Sequence, residues 1–359
     1  MEQKVPKTGG IFRGPRTLTI MPTFRCVANC ASCGTLSNPL DETELTLQEM
    51  SRCIQEAKRL NFANIVFTGG EPTLCWTKLL QAIKKTNKSG LMTRLVTNAH
   101  WAETPSKAQS TVRALKAAGL DEINFSTGDE HARFIPITNV VNAIVASVSN
   151  HFRPAVMVED KLGQVVTKRK ILRNQKIRTL LLKDKTCVTI SVSPWMPLDP
   201  LRIEKYRHSC VANSDNLDAY TSCDTIMQSL TLMSDGNISA CCGFGTRLIP
   251  ELIVSNINQP DFLARAIENT ENDFLKVWLH YEGPLRILDW AAKKNLNIEW
   301  ENMYAHCCQA CLRIYKDPIV QETVQANYRD KIGQVLSSAW MEEVLIPMRL
   351  RGIGKELSI

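Results

Sequence analysis

Up to about residue 196 the chain alternates short, β-rich apolar runs with stretches of helical periodicity, and this alternation restricts the fold more than any other feature. The runs that read as strands are TLTIM (17–21), NIVFT (64–68), MTRLVT (92–97), EINFS (122–126), AVMVE (155–159) and CVTISVS (187–193). Between the first two, Thr46 and Glu49 are spaced for a capping box. Met50, Cys53, Ile54, Ala57 and Leu60 then recur on one helical face, which makes Cys53 a core thiol. Residues 104–118 and 137–149 give two further helices. Strands alternating with helices imply a parallel sheet with right-handed crossovers. Six such units predict an α/β fold, a partial (β/α)6 TIM-like barrel whose chemistry gathers at the C-terminal ends of the strands.

Cys26, Cys30 and Cys33, in FRCVANCASCG (24–34), fall in the loop just after the first strand. Three is an awkward number of thiols, because a disulfide framework needs pairs and a structural zinc site needs four ligands. The chain has no secretory signal pattern and no run of about 18 apolar residues, so a cytoplasmic location is expected. There most of the 13 cysteines are expected to be reduced thiols, free for burial, metal binding or catalysis. At the end of the second strand stands FTGGEPTL, where Gly69 and Gly70 allow close backbone approach and Glu71 and Pro72 follow. Alone this reads as a glycine turn capping a strand. Beside the triad it points to a shared site.

Together the two motifs resemble the radical S-adenosylmethionine enzyme superfamily, over about residues 15–200. The resemblance implies that Cys26, Cys30 and Cys33, in C-x3-C-x2-C spacing, hold a [4Fe-4S] cluster. It also implies that the Gly69-Gly70-Glu71-Pro72 loop receives the methionine amino group. Three thiolates leave one iron of the cluster open, and S-adenosylmethionine can chelate it. One electron then releases a 5'-deoxyadenosyl radical that abstracts hydrogen from substrate, inside a barrel that excludes water. The resemblance further brings Thr97 and Asn98, in VTNA, and Ser126 toward the cofactor. Asp129 and His131, in STGDEHARF, fall on the same rim as candidates for a general base or substrate contact, or as ordinary surface residues. One departure stands out. The residue before the third cysteine is usually aromatic in this superfamily and stacks near the adenine, but here it is Ser32, so adenine must be held mainly by other residues.

Beyond about residue 210 the pattern changes to cysteine-marked turns and then helices. Asp235-Gly236-Asn237 is a turn between two hairpin-like runs, helical patterns follow from about 259 to 294, and Val320, Val324, Ile332 and Val335 suggest an amphipathic helix in the tail. Cys223, Gly236 and Cys241, followed much later by the C-x2-C pair Cys308 and Cys311, resemble the twitch extension, a shortened SPASM domain holding an auxiliary [4Fe-4S] cluster. Four thiolates would ligate that cluster fully, which suits electron transfer or support of the fold. A structural zinc on the same four cysteines fits the spacing too. Cys242 and Cys307 adjoin these positions and leave the register open by one residue, while Cys75, Cys187 and Cys210 read as structural thiols. The expected domains are a radical SAM core (1–205), a twitch-like domain (206–317) and a helical tail (318–359).

The net charge of +7 is concentrated between Lys161 and Lys185, where Asp184 is the sole acid. That strip is a solvated face or a docking site for an acidic peptide or nucleic acid. The expected activity is maturation of a ribosomally made peptide by crosslinking, ring formation, epimerisation or oxidation. Dehydrogenation of a small metabolite such as a sugar alcohol is the alternative. Nucleic-acid modification ranks third, since the strip has no aromatics to stack on bases. Expected partners are the substrate and an external one-electron reductant such as a flavodoxin or ferredoxin. About 25 residues precede the triad, too few for a peptide-recognition domain, so a separate recognition protein is a further candidate partner. No membrane association is expected.

Overall fold

The computed structural model describes residues 12, 16–207, 210–220 and 222–346; the expected tail beyond 346 lies outside the described residues. The chain opens with β1 (Thr17–Ile20), α1 (Leu47–Arg59), β2 (Asn64–Phe67), α2 (Trp76–Lys88), β3 (Met92–Thr97) and α3 (Pro105–Ala117). It continues through β4 (Glu122–Thr127), the short α4 (Asp129–Ala132), α5 (Ile137–Ser149) and β5 (Ala155–Asp160). Then come α6 (Lys168–Arg173), α7 (Gln175–Lys183) and β6 (Thr189–Pro194). All six expected strands form, each within two residues of the sequence boundaries, and β1 to β6 pair in parallel in that order.

Local chemistry explains these elements. Thr46 caps α1 by accepting from the Glu49 amide at 3.2 Å, and the Glu49 carboxylate accepts in return from the Thr46 amide at 2.7 Å. Met50, Cys53, Ile54 and Ala57 on the buried face then pack on the sheet, and Cys53 is a core thiol as its spacing implies. The alternating strand pattern turns Leu18, Ile20, Ile65, Phe67, Leu95, Ile123 and Phe125 outward into the core beneath the helices. The opposite strand face lines the concave interior of the barrel.

The sheet does not stop at six strands. Three more, β7 (Ser229–Leu232), β8 (Asn237–Ser239) and β9 (Ile253–Asn256), extend it on the far side of β1. β7 lies parallel to β1 with Thr17 opposite Ser229, and the turn at Asp235-Gly236-Asn237 returns β8 antiparallel. β1 is therefore an interior strand, with its backbone groups satisfied on both sides. The same sheet thus takes in strands on both sides of the boundary expected at 205/206 and runs through to residue 256. Among the described residues β6 and β9 are the edges of the sheet and do not pair with each other, so the barrel is open.

A second core lies under α9 (Phe274–Tyr281), α10 (Pro284–Lys294), α11 (Cys307–Lys316), α12 (Pro318–Asn327) and α13 (Arg329–Trp340), around the buried Trp278, Tyr304 and Leu288. The helix α8 (Phe262–Glu271) belongs instead to the first core. Val320, Val324 and Val335 are buried as their spacing implies, but the single expected helix is two, broken at Tyr328. The basic strip becomes α6 and α7, pinned by buried Ile171 and Ile177, with Lys168, Arg169, Lys170, Arg173, Lys176 and Arg178 on the exposed side. No described helix is long and apolar enough to cross a membrane. Thr46→Ala removes the capping oxygen of α1 and is expected to lower stability by about 1 kcal/mol, read as an earlier urea midpoint at unchanged slope.

Candidate active site

The loops after β1, β2 and β3 meet through backbone contacts that few other residues would permit. The Gly70 amide donates to the Thr23 carbonyl at 3.0 Å and the Glu71 amide to the Arg25 carbonyl at 2.8 Å. A Cβ on Gly70 would lie 2.1 Å from the Arg25 carbonyl oxygen, and Gly69 takes φ +124°. The two glycines therefore let the second loop lie directly on the segment that leads into Cys26. Glu71 then fixes the arrangement. Fully buried, its carboxylate accepts from the Thr73 amide at 3.1 Å, the Thr73 hydroxyl at 2.6 Å, the Thr97 hydroxyl at 2.8 Å and the Asn98 amide at 2.9 Å. Four donors satisfy the buried charge and tie the end of β2 to the end of β3.

Above these loops lies a cavity of about 310 Å³ at the C-terminal ends of the strands. Cys26, Cys30 and Cys33 all line it, together with Gly69, Gly70 and Asn98. The Asn98 amide group donates to the Cys26 sulfur at 3.5 Å, and the Thr35 hydroxyl lies 3.4 Å from the Cys33 sulfur and donates to the Gly69 carbonyl at 3.3 Å. Ser126 also lines the cavity. Glu71 and Pro72 do not; they stand behind the wall and shape it. Burial pushes the Cys26 thiol up to about 11, with the charges of Glu71 and Cys33 adding to the rise. Burial likewise pushes Cys30 up to about 12, with Glu159 and the two other triad cysteines adding.

The two rim candidates separate. Asp129 is committed to the backbone: its carboxylate accepts from the Val165 amide at 3.0 Å and the Val166 amide at 2.7 Å, and it does not line the cavity. His131 does line it, with Nδ1 2.6 Å from an oxygen of Glu159. Glu159, near the end of β5, was missed in the sequence although a carboxylate at the C-terminal end of a barrel strand is a recognisable signal. The other oxygen of Glu159 accepts from the Glu130 amide at 3.2 Å.

A second group of thiols lies beyond β8. Cys308 and Cys311 stand one turn apart on α11, and the sulfurs of Cys241 and Cys308 both flank Gly243. Burial raises Cys241 well above the ordinary thiol range, with the charges of Cys242, then Cys223 and Cys311, adding. The four nominated cysteines thus converge. Cys307 joins them: the ligand atoms of His306, Cys307 and Cys308 lie within 4.8 Å of one another. Hydrogen bonds from Cys308 and His306 hold the Cys307 thiol below its ordinary range. Cys242 directs its thiol to Thr19 and Ser229. Cys75 is buried and donates to the Glu44 carboxylate at 3.1 Å, and Cys187 is buried in the first core.

The donor chemistry of the first site fits an iron–sulfur cluster with S-adenosylmethionine. Three soft sulfur donors share one cavity, and the burial and neighbouring charges that disfavour the Cys26 and Cys30 thiolates are what a bound metal offsets. Asn98, whose side chain reaches the Cys26 sulfur, and Ser126 line the same cavity and offer polar contacts to a ligand there. Residues 20–130, which hold the triad and the glycine loop, match the family model described as the Radical SAM superfamily. The chain therefore carries a radical SAM domain, of the class that uses S-adenosylmethionine and iron–sulfur clusters. Its fold is similar to that of anSMEcpe, solved with AdoMet and a Cp18Cys peptide, at 13% identity over 91% of this chain and 99% of that one, with a TM-score of 0.53. It is also similar to SuiB of Streptococcus suis bound to precursor peptide SuiA (14% identity, 89% and 78% covered, TM-score 0.46) and to BtrN in complex with AdoMet and 2-DOIA (13%, 82% and 98%, 0.43). At these identities the likeness is one of fold.

In the metal-free chain at pH 8, mass-spectrometric footprinting with iodoacetamide is expected to label Cys307 ahead of Cys26 and Cys30, because only the lowered thiol is substantially ionised there. Glu71→Ala strands four donors and is expected to lower stability by on the order of 3 kcal/mol in urea unfolding.

Proposed function

We propose that this chain is a radical SAM enzyme that modifies a peptide, with Cys26, Cys30 and Cys33 holding one [4Fe-4S] cluster and the late cysteines a second, twitch-type one. The observation that carries the peptide reading is the open barrel. Beside the cavity the inner face of β5 and β6 stays uncovered: Met157 lines the cavity yet is 46% exposed, and its neighbours Thr189 and Ser191 are exposed. An extended chain can lie along such a face while one residue enters the cavity. The similarity in fold to a structure holding AdoMet and a peptide supports the same reading.

When bound at the first triad, the cluster and S-adenosylmethionine supply one-electron chemistry able to take hydrogen from an unactivated carbon. The chain's own residues do the rest. The Gly69–Gly70 backbone and Asn98 orient the ligand's polar end, and the barrel wall excludes water from the reacting carbon. His131, held through Nδ1 by Glu159, offers its second ring nitrogen to accept a proton from the substrate. The four thiols Cys223, Cys241, Cys308 and Cys311 complete the shell of the second cluster, with Cys307 beside them as the alternative to Cys308.

A second reading, dehydrogenation of a small metabolite such as a sugar alcohol, is favoured by one observation: a cavity of about 310 Å³ lies at the lower end for ligand sites. The two part on product analysis. Anaerobically reconstituted protein, given S-adenosylmethionine, a one-electron reductant and the peptides encoded beside its gene, is expected to shift the mass of one of them; turnover of a polyol and none of the peptides overturns the peptide reading.

Iron content tests the two clusters. The wild type is expected to hold about eight irons, falling to about four when either cysteine set is changed to alanine. Reductive cleavage of S-adenosylmethionine should vanish with Cys26, Cys30 and Cys33 alone replaced, and zinc at the late cysteines would refute the second cluster. His131→Asn is expected to leave this cleavage intact while lowering peptide product at least tenfold.

A further inference from the structure

S-adenosylmethionine is an amphiphile with a polar amino-acid end and a flat aromatic base, and a site that reads only its polar end leaves the base without a partner. Among the residues lining the cavity, two carry large aromatic side chains: Trp195 and Phe244. Trp195 is already engaged, with the Lys161 ammonium 5.2 Å and the Arg202 guanidinium 5.6 Å from its ring centre, and it is 8% exposed. Phe244 packs at the margin of the second core. It lies half-buried against the residue that follows Cys33, with its Cδ2 3.1 Å from where a Cβ on Gly34 would stand. Ser32, two residues before Gly34, contributes no ring.

We infer that Phe244 is the aromatic wall against which the adenine of S-adenosylmethionine packs, a ring supplied from the far end of the sequence in place of one beside the triad. This rests on the cofactor reading above. The position of the ring is fixed on both sides. On one side the Gly245 amide donates to the Gly34 carbonyl at 3.0 Å, and Arg247 donates to the carbonyls of Thr35 at 2.9 Å and Leu36 at 3.2 Å. The Arg247 guanidinium also lies 3.6 Å from the centre of the Phe24 ring and pairs with Asp41 at 3.4 Å. On the other side the Gly243 amide donates to the Cys241 sulfur at 3.0 Å. A ring so held is preorganised, so little freedom is lost when a base stacks on it.

The test is equilibrium dialysis of S-adenosylmethionine on anaerobically reconstituted protein, with iron counted in every sample. Phe244→Ala is expected to weaken binding about tenfold at unchanged iron. Phe244→Leu, which keeps apolar bulk on Gly34 but removes the ring, should lie between, and Phe244→Trp should bind like the wild type. Methionine, which lacks the base, should be affected by Phe244→Ala less than twofold when measured as a competitor. Equal affinity of wild type and Phe244→Leu, or equal weakening of methionine and S-adenosylmethionine, overturns the inference. Loss of iron in both Phe244→Ala and Phe244→Leu also overturns it, because the ring would then be serving the cysteine loop. A wild type that holds iron but does not bind S-adenosylmethionine fails the cofactor reading itself, and the inference falls with it.

Discussion

The contact on which the site depends is the close approach of the loop after β2 to the loop after β1. Gly70 lies so near the Arg25 carbonyl that no side chain fits, and the two backbone hydrogen bonds made there bring the cysteine loop down over the strand ends. A buried carboxylate would normally be a heavy cost at such a place. Glu71 is tolerated because four donors surround it, and two of them, from Thr97 and Asn98, belong to the next strand and its loop. One anion thus ties the ends of β2 and β3, two backbone amides bring in the loop after β1, and the cavity is the space those ends leave.

The cysteine chemistry follows from that placement. The triad sulfurs share a cavity with the glycine loop, and burial together with acidic neighbours disfavours the Cys26 and Cys30 thiolates until positive charge arrives. The late cysteines reach a similar condition by another route, through i, i+3 spacing on α11 and a sulfur from the end of β8. In both places the protein gathers donors whose charge it does not itself balance, which is the electrostatic signature of sites that take up cations.

Much of this was legible in the sequence. The period-two runs gave all six parallel strands, Thr46 and Glu49 announced a helix start, and the glycine pair sits where its backbone contacts require it. What was not legible depended on distance along the chain. β7 is four residues long, and nothing in SLTL says that it will pair with a strand more than two hundred residues earlier. Phe244 sits in an unremarkable glycine-flanked stretch, and its place against Gly34 follows only from the pairing that carries it there. Asp129 looked like His131 in the sequence, and the two diverge because one turn of α4 aims one side chain at backbone amides and the other at Glu159. Glu159 itself could have been found, since it lies one residue before the C-terminal end of a barrel strand.

The insertion of β7 beside β1 has a bearing on biosynthesis. A nascent chain that has released only its first two hundred residues still lacks one of the two neighbours of its first strand, and Arg247 is not yet available to grip the segment after Cys33. The N-terminal half can collapse early from contacts close in sequence, while the pocket waits for a segment made much later. Packing of the triad loop is thereby coupled to the emergence of residues 229–247, about two hundred positions after the loop itself.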